Sequence, residues 1–373
     1  MTNDKEQSPI TYQSTGVNYD AMDPLKRMAQ KKARETSFNL ESFGYREVKE
    51  SRGESAYIWE EPEKYGAFVV EGLGTKNIVA DEMRKITGKT YHQEIAQDDV
   101  AMIVNDLIVV GAMPIVVSAY FAAGDSEWFE DKERNADLTN GFRDACNKAG
   151  AVYGGGESPT LRDIIIKGKA DLAGAAVGEI KPKSRITLGD KLKSGDRIML
   201  VESNGIHANG LTLARDVKDR LPDGYSTQLS GGQMYGEALL EPTHIYVKLI
   251  RDLFEAGVDI HYMVNITGHG WRKLMRAEKD LTYVINILPE VPEEFSLIQE
   301  VSGNDDKEMY GNLNMGAGFA IYVPEKDVDI VRQIAVQNHR LTALNAGYVE
   351  DGQKRVIINP KNIIFEGKTL GVR

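Results

Sequence analysis

Cysteine is nearly missing from this chain: among 373 residues, Cys146 is the single thiol. One thiol excludes an intramolecular disulfide and any cysteine-built metal cluster. Both exclusions fit a reducing, cytoplasmic compartment. Long apolar runs are missing too. No stretch nears the roughly 20 residues that a membrane-spanning helix needs. The polar start MTNDKEQSPITYQ also lacks the apolar centre of a secretory signal, so no membrane partner is expected. Positive charge is in deficit, with 45 Lys and Arg against 56 Asp and Glu and a net charge of −11. That balance argues against non-specific nucleic-acid binding, which depends on cations neutralising phosphates. It still allows a small anion held by backbone N–H groups, especially alongside a divalent cation.

What remains is ordinary for a globular protein: 42% hydrophobic and 27% charged residues. The length predicts two domains. The polar segment KPKSRITLGDKLKSGD (181–196) marks the boundary, giving an N-terminal domain over 1–182 and a C-terminal domain over 190–373. Residues 1–20 are expected to be extended or mobile, and a basic helix follows them. In the first half, strands are predicted over 55–60, 66–70, 114–122, 151–153 and 171–180. Helices are predicted over 98–111 and 132–149, the second stopped by Gly150. In the second half, strand 197–203 leads through the turn NGIHANG into helix 211–221. A helix is predicted over 241–257, then a strand entering ITGHGW, a strand in NLNMGAGFAIYVP, and a helix over 327–339. This mixture of strands and helices around glycine-rich turns is an α/β (α+β) pattern.

Chemistry concentrates in a few of these turns. VVEGLGTKN (69–77) ends a strand and packs Glu71, Gly72, Gly74, Thr75 and Lys76 together. It lacks the Walker spacing. Glycines allow close backbone approach to a ligand, and Thr75 and Lys76 can donate to phosphate oxygens. Plain turn geometry also accounts for such a loop. In DDVAMIVNDL, Asp98 and Asp99 stand where carboxylates cap a helix N-terminus and favour its dipole. Asp106 is embedded in an apolar stripe, where a charge is costly unless it is paired or metal-bound. Glu71, Asp98 and Asp106 make a hard-oxygen set suited to Mg²⁺ with substrate phosphates. Glu157 follows three glycines at a strand end, a common place for active-site groups in open α/β sheets. His207 and His269 sit inside glycine-rich turns, where packing gives little reason for a histidine. The histidines lack zinc-site spacing.

Taken in order, these segments resemble the aminoimidazole ribonucleotide synthetases, the phosphoribosylformylglycinamidine cyclo-ligases. TYQSTGVNYDAMD is similar to that family's opening. EGLGTK resembles its Asp-Gly-Val-Gly-Thr-Lys loop, and DDVAMIVNDL its Asp-Leu-Val-Ala-Met-x-Val-Asn-Asp-Leu helix. GAMPIVVSAYFAAG, GGGES, SNGIHANGLTLAR, LLEPTHIYVK and ITGHG resemble later family segments in the same order.

The resemblance implies a two-domain PurM-like fold of mixed sheets packed with helices. It implies an N-terminal domain that binds ATP and dimerises, and a C-terminal domain facing a ribonucleotide substrate. ATP and Mg²⁺ would be required. Glu71, Asp98 and Asp106 would hold the metal. Gly72, Gly74, Thr75, Lys76 and Glu157 would hold ATP phosphates. Lys76, Asp106 and His207 would be catalytic, with His207 as proton acceptor. Ser203, Asn204, Gly205, His207, Asn209, Thr267, Gly268 and His269 would line the substrate side. The implied reaction activates the formyl amide of formylglycinamidine ribonucleotide as an iminophosphate, then closes the ring to 5-aminoimidazole ribonucleotide.

Four departures set this chain apart. Glu71 replaces the family's Asp, and His269 replaces a glycine. SRGESAY is closer to the Gly-Asp-Asp-Ala-Ala stretch of thiamine-phosphate kinases and hydrogenase-maturation proteins. Ser158-Pro159-Thr160-Leu161 departs from Thr-Ala-Glu-Met-Pro. Two further readings therefore stand beside the first. One is a paralogous amide-activating enzyme or small-molecule kinase of the same superfamily. The other is a non-catalytic nucleotide-binding scaffold.

Overall fold

The computed structural model describes residues 9–11, 14–16 and 19–370, so most of the segment read as extended or mobile lies outside the described residues. After helix α1 (Tyr19–Arg34), the first half builds a six-stranded sheet. Its strands are β1 (Arg46–Glu47), β2 (Tyr57–Glu60), β3 (Tyr65–Gly72), β4 (Met113–Ala123), β5 (Val152–Glu157) and β6 (Ala170–Ile180), in the order β1-β2-β3-β6-β4-β5. Only β4 and β5 run parallel. Helices α2 (Lys76–Thr87), α3 (His92–Ile108) and α4 (Lys132–Ala149) complete this half.

α3 lies against the sheet because β6 is built from small residues. A Cβ on Gly174 would come within 2.6 Å of Ile103 Cδ1, and one on Gly178 within 2.6 Å of Leu107 Cδ2. Those glycines let the apolar stripe of α3 reach the strand backbone. Ile103, Val104 and Leu107 are fully buried there, each contributing about 1.5–3 kcal/mol of apolar burial. Alternation along β3 buries Ala67 and Val69 while leaving Phe68 and Val70 exposed. With a period of two, Glu71 then faces the same side as Val69, toward α3.

The second half forms a seven-stranded sheet in the order β13-β12-β9-β11-β7-β10-β8. Its strands are β7 (Arg197–Glu202), β8 (Tyr262–Asn265), β9 (Leu281–Ile285), β10 (Ala317–Val323), β11 (Ala343–Asp351), β12 (Arg355–Ile358) and β13 (Ile363–Glu366). Helices α5 (Leu211–Lys218), α6 (Tyr235–Ala238), α7 (Val247–Glu255), α8 (Glu293–Ser302), α9 (Asp306–Asn312) and α10 (Val328–His339) surround it.

Two differences from the sequence reading bear on the site. α3 begins at His92 rather than at Asp98, so Asp98 and Asp99 are not N-terminal caps but fully buried residues inside the helix. The predicted helix over 241–257 starts only at Val247. Residues 241–246 run without regular structure because Pro242 interrupts them and α3 side chains take their backbone groups. Gln97 Nε2 donates to Thr243 O at 2.9 Å, and Asn105 Nδ2 to His244 O at 2.7 Å. Asn105 Oδ1 accepts from Tyr246 N at 3.0 Å. The helix of the first half is thereby docked onto the second half through polar side chains.

Candidate active site

Where the halves meet, a cavity of about 420 Å³ opens between α3 and the turn after β8. Met102 and Asp106 both reach it, as residues four apart on a helix share a face. Glu71 enters from the end of β3 and bonds to Asp106 through its carboxyl group. Burial, then the neighbouring Asp106 charge, pushes Glu71 up to about 8, while Lys273 opposes the shift. A buried carboxyl group beside a like charge holds its proton more tightly. Asn265 Nδ2 donates to Asp106 Oδ1 at 2.7 Å and fixes that side chain from the second half.

The opposite wall is cationic. Lys273 lies on the short helical turn Gly270–Met275 and is 9% exposed. Its Nζ donates to Asn265 O at 3.2 Å and also to Thr267 Oγ1. Arg276 donates to Gly53 O at 2.8 Å and Ser55 Oγ at 3.1 Å, and stands 3.7 Å from Glu54. Glu54 also accepts from Tyr262 Oη at 3.0 Å. His269 takes φ +69° at a turn position where glycine is favoured, and a non-glycine residue there is strained. Burial, with help from Arg272 and Lys273, pulls its imidazole down to about 3, so it is neutral. Asn209 Oδ1 accepts from Gly268 N at 3.1 Å and braces the same turn.

The structure thus gathers Glu71, Asp106, Asn209, Thr267, Gly268 and His269 around one cavity. The other expected residues fall elsewhere. Asp98 does not line this cavity with Glu71 and Asp106. It is fully buried with Lys76 Nζ 2.8 Å from Oδ2 and 2.9 Å from Oδ1. Thr243 N and Oγ1 donate to it at 2.8 and 2.5 Å. Burial raises its pKa, against the opposing pull of Lys76 and Thr243. Among the described residues, no group of three or more His, Cys, Asp or Glu side chains is arranged to hold a metal. The hard-oxygen set is a pair. Lys76 is likewise 0% exposed and donates to Glu241 O at 2.7 Å, so its amine does not reach the cavity.

Gly72 and Gly74 lie exposed next to Glu71, with Gly74 at φ +77° and Thr75 half-buried before α2. A Cβ at either glycine would meet nothing within 4 Å, so the loop borders open space. Glu157 is exposed at the end of edge strand β5, where its Oε1 accepts from Ser158 N at 3.1 Å. The turn after β7 folds inward. Ser203 Oγ donates to Asn314 Oδ1 at 2.9 Å, and Asn314 Nδ2 to Gly205 O at 2.9 Å. Asn204 Nδ2 donates to Pro242 O at 2.7 Å, and His207 Nε2 stands 3.1 Å from Asn204 Oδ1. His207 is 4% exposed, with burial, then His244 and Lys76, holding it far below the usual histidine range. It is an enclosed ring among His244 and Tyr246 and does not line the cavity.

Lys273, Arg276, Asn265 and Glu54 were not singled out by sequence. The cue available for Lys273 and Arg276 was the charge density of GHGWRKLMR just past a glycine turn.

Donor chemistry can be matched to the implied groups. Two adjacent carboxyl groups offer oxygen ligands to a divalent cation, which would displace the Glu71 proton on binding, and Mg²⁺ is held through one or two carboxylates plus phosphates. The pair Glu71 and Asp106 fits that ion, and the adjoining open glycine loop fits phosphate oxygens.

Residues 53–180 match the family described as AIR synthase related protein, N-terminal domain, and residues 193–359 match its C-terminal domain. A phosphoribosylformylglycinamidine cyclo-ligase from Methanococcus maripaludis is 32% identical over 343 residues, covering 92% of this chain and 93% of its own. One from Methanocaldococcus jannaschii is 35% identical over 314 residues, covering 81% and 86%. Among solved structures, AaThiL complexed with AMPPCP and TMP superposes with a TM-score of 0.61 at 15% identity, covering 93% of this chain and 96% of that one. Hydrogenase maturation protein HypE in complex with ATP gives 0.54 at 18% identity, covering 71% and 75%. These structures share the fold.

Proposed function

This chain belongs to the AIR synthase related protein family, and on that premise we propose that it is an ATP-dependent cyclo-ligase. Its substrate would be formylglycinamidine ribonucleotide and its product 5-aminoimidazole ribonucleotide, with ADP and phosphate released. The observation that carries this reading is the Glu71–Asp106 pair set against Lys273 and Arg276 in one cavity between two halves. A non-catalytic scaffold has no use for carboxyl groups held at such desolvation cost. We assign residues 1–182 and 190–373 as the two domains.

The formyl amide oxygen attacks the terminal phosphorus of ATP, forming an O–P bond as the bond to ADP breaks. The amidine nitrogen then attacks the same carbon, phosphate leaves with its oxygen, and loss of a proton completes the ring. When bound, Mg²⁺ would neutralise phosphate charge from its place on Glu71 and Asp106. Gly72, Gly74 and Thr75 border the open side, where backbone N–H groups can meet phosphate oxygens. Asn209, Thr267, Gly268 and His269 hold the substrate side. Neutral His269 can donate or accept a hydrogen bond but carries no charge to the site. Lys76 and Asp98 hold the two halves in register instead, His207 packs within the second half, and Glu157 is left on the sheet edge. Ring closure mainly requires held geometry.

A second reading, a paralogous amide-activating enzyme or small-molecule kinase, is favoured by two features of the wall. Glu71 is longer than the family's Asp, and His269 fills a glycine position. The first shifts the metal and the second narrows the substrate side. Complementation of a purine auxotroph lacking the synthetase separates the readings. Growth without purine supports the cyclo-ligase. Soluble protein that releases ADP but fails to rescue growth supports the second reading.

A further inference from the structure

The cavity holds a positive charge that the reaction can use directly. Resting on the ATP-dependent reading above, we propose that Lys273 contacts the phosphoryl group in transfer, the position the sequence offered to Lys76.

Phosphoryl transfer spreads negative charge over the equatorial oxygens, and stabilisation requires a cation placed there in advance. Lys76 cannot serve, because its amine is fully buried between Asp98 and Glu241 O. Three other cations line the cavity: Lys26, Lys273 and Arg276. Arg276 is committed to Gly53 O, Ser55 Oγ and Glu54. Lys26 comes from α1, whose Met22, Leu25 and Met28 are exposed, and it stands 3.7 Å from Asp23. Lys273 is the buried cation, held from below by its own turn.

An ammonium has three N–H donors. Asn265 O and Thr267 Oγ1 take two of them and fix the direction of the amine. Among the described residues no hydrogen bond takes the third, and the side chain lines the same cavity as Glu71 and Asp106. Asn265 accepts from Lys273 through its carbonyl while its amide donates to Asp106. One residue therefore sets the spacing between the lysine and the metal-side carboxylate. A terminal phosphoryl group held over the carboxyl pair would lie between a divalent ion and this amine.

The test compares wild type with Lys273→Gln and Lys273→Arg in the full chain. Glutamine keeps donors for Asn265 O and Thr267 Oγ1 but removes the charge. Calorimetry measures affinity for AMPPCP and for ADP, each with Mg²⁺, and urea unfolding confirms that each variant is folded. The expected result is that Lys273→Gln weakens AMPPCP at least about tenfold and leaves ADP unchanged. It lowers kcat by about 10²–10³-fold, as removal of a transition-state donor does, with Lys273→Arg recovering part of both. Equal weakening of the two nucleotides, or no change in either, overturns the proposal. So does failure of both variants to fold, which would assign Lys273 to the turn alone. Wild type that binds AMPPCP but does not cyclise formylglycinamidine ribonucleotide refutes the cyclo-ligase reading and leaves the nucleotide comparison standing.

Discussion

At the scale of single residues, Lys76 and Asp98 show how burial reassigns a role. Both are 0% exposed, and their pairing is completed by Thr243 and by Glu241 O. Removing one partner of such a pair leaves a charge stranded in the interior. Lys76→Met is expected to cost about 3–5 kcal/mol of unfolding free energy, read from urea denaturation. The double variant Lys76→Met, Asp98→Asn is expected to recover part of that loss. A single-variant loss below about 1 kcal/mol would show that the pair contributes little. Asp106 stood out in the sequence because a carboxylate in an apolar stripe demands an explanation, and Glu71 stood out as the carboxylate of a glycine-rich loop. Lys76 looked equally functional, since nothing in EGLGTK reveals that Asp98 and Glu241 O lie within reach. Lys273 escaped notice for the converse reason. Its place depends on Asn265, which accepts from the Lys273 amine and donates to Asp106 of the other half, and no local pattern encodes that.

At the scale of elements, α3 is the part that both halves depend on. Its apolar period was readable, but its start was not. Asp98 and Asp99 imitate an N-terminus, whereas the chain turns into the helix at Tyr91, with φ +56°. The segment 241–246 misled in the opposite direction. Its composition continues into α7, yet its backbone groups are taken by Gln97, Asp98 and Asn105. Tertiary partners overrode local propensity in both places. The contact of α3 with β6 makes a sharper demand. A Cβ on Gly174 would stand 2.5 Å from Ser118 O and 2.6 Å from Ile103 Cδ1. The methyl of Ile103 can swing aside, but the carbonyl is part of the β4–β6 ladder. Gly174→Ala is therefore expected to lose about 1–3 kcal/mol, the usual cost of overpacking, in urea unfolding. Gly72→Ala, facing open space, should change stability little. Equal effects at the two sites would show that the close approach of α3 is not what selects glycine.

At the scale of the whole molecule, the first sheet is covered by helices on one face and open on the other. Phe68, Val70, Val177, Ile115 and Val152 are 40–62% exposed on that face. The register makes a row of them: Phe68 opposes Val177, Val177 opposes Val116, and Val116 opposes Val152. The row crosses β3, β6, β4 and β5, an apolar band on the solvent side of a mainly antiparallel sheet, where polar residues are the norm. The cavity opens on the other side of β3, so covering this band leaves the carboxyl pair accessible. A contiguous apolar face of this kind marks an interaction surface. A second copy of the chain, the partner that the family resemblance implies, would meet it with the same band in a two-fold pairing. The sequence supported a dimer only by family resemblance, since alternation in GAFVV identifies two faces without saying which is left bare. Sedimentation equilibrium is expected to give a dimer for wild type at micromolar concentration. Val70→Glu and Val177→Glu should each yield folded monomers, because a carboxylate placed in the band would be buried without a partner. Glu71 and Asp106 remain in place in those monomers, so Mg²⁺-dependent AMPPCP binding should persist within a few-fold if the cavity belongs to one chain. Loss of nucleotide binding together with the dimer would instead mean that the second copy completes the site. A wild-type chain that stays monomeric at about 100 µM, far above the dissociation constant of a standard-sized interface, would remove the dimer altogether.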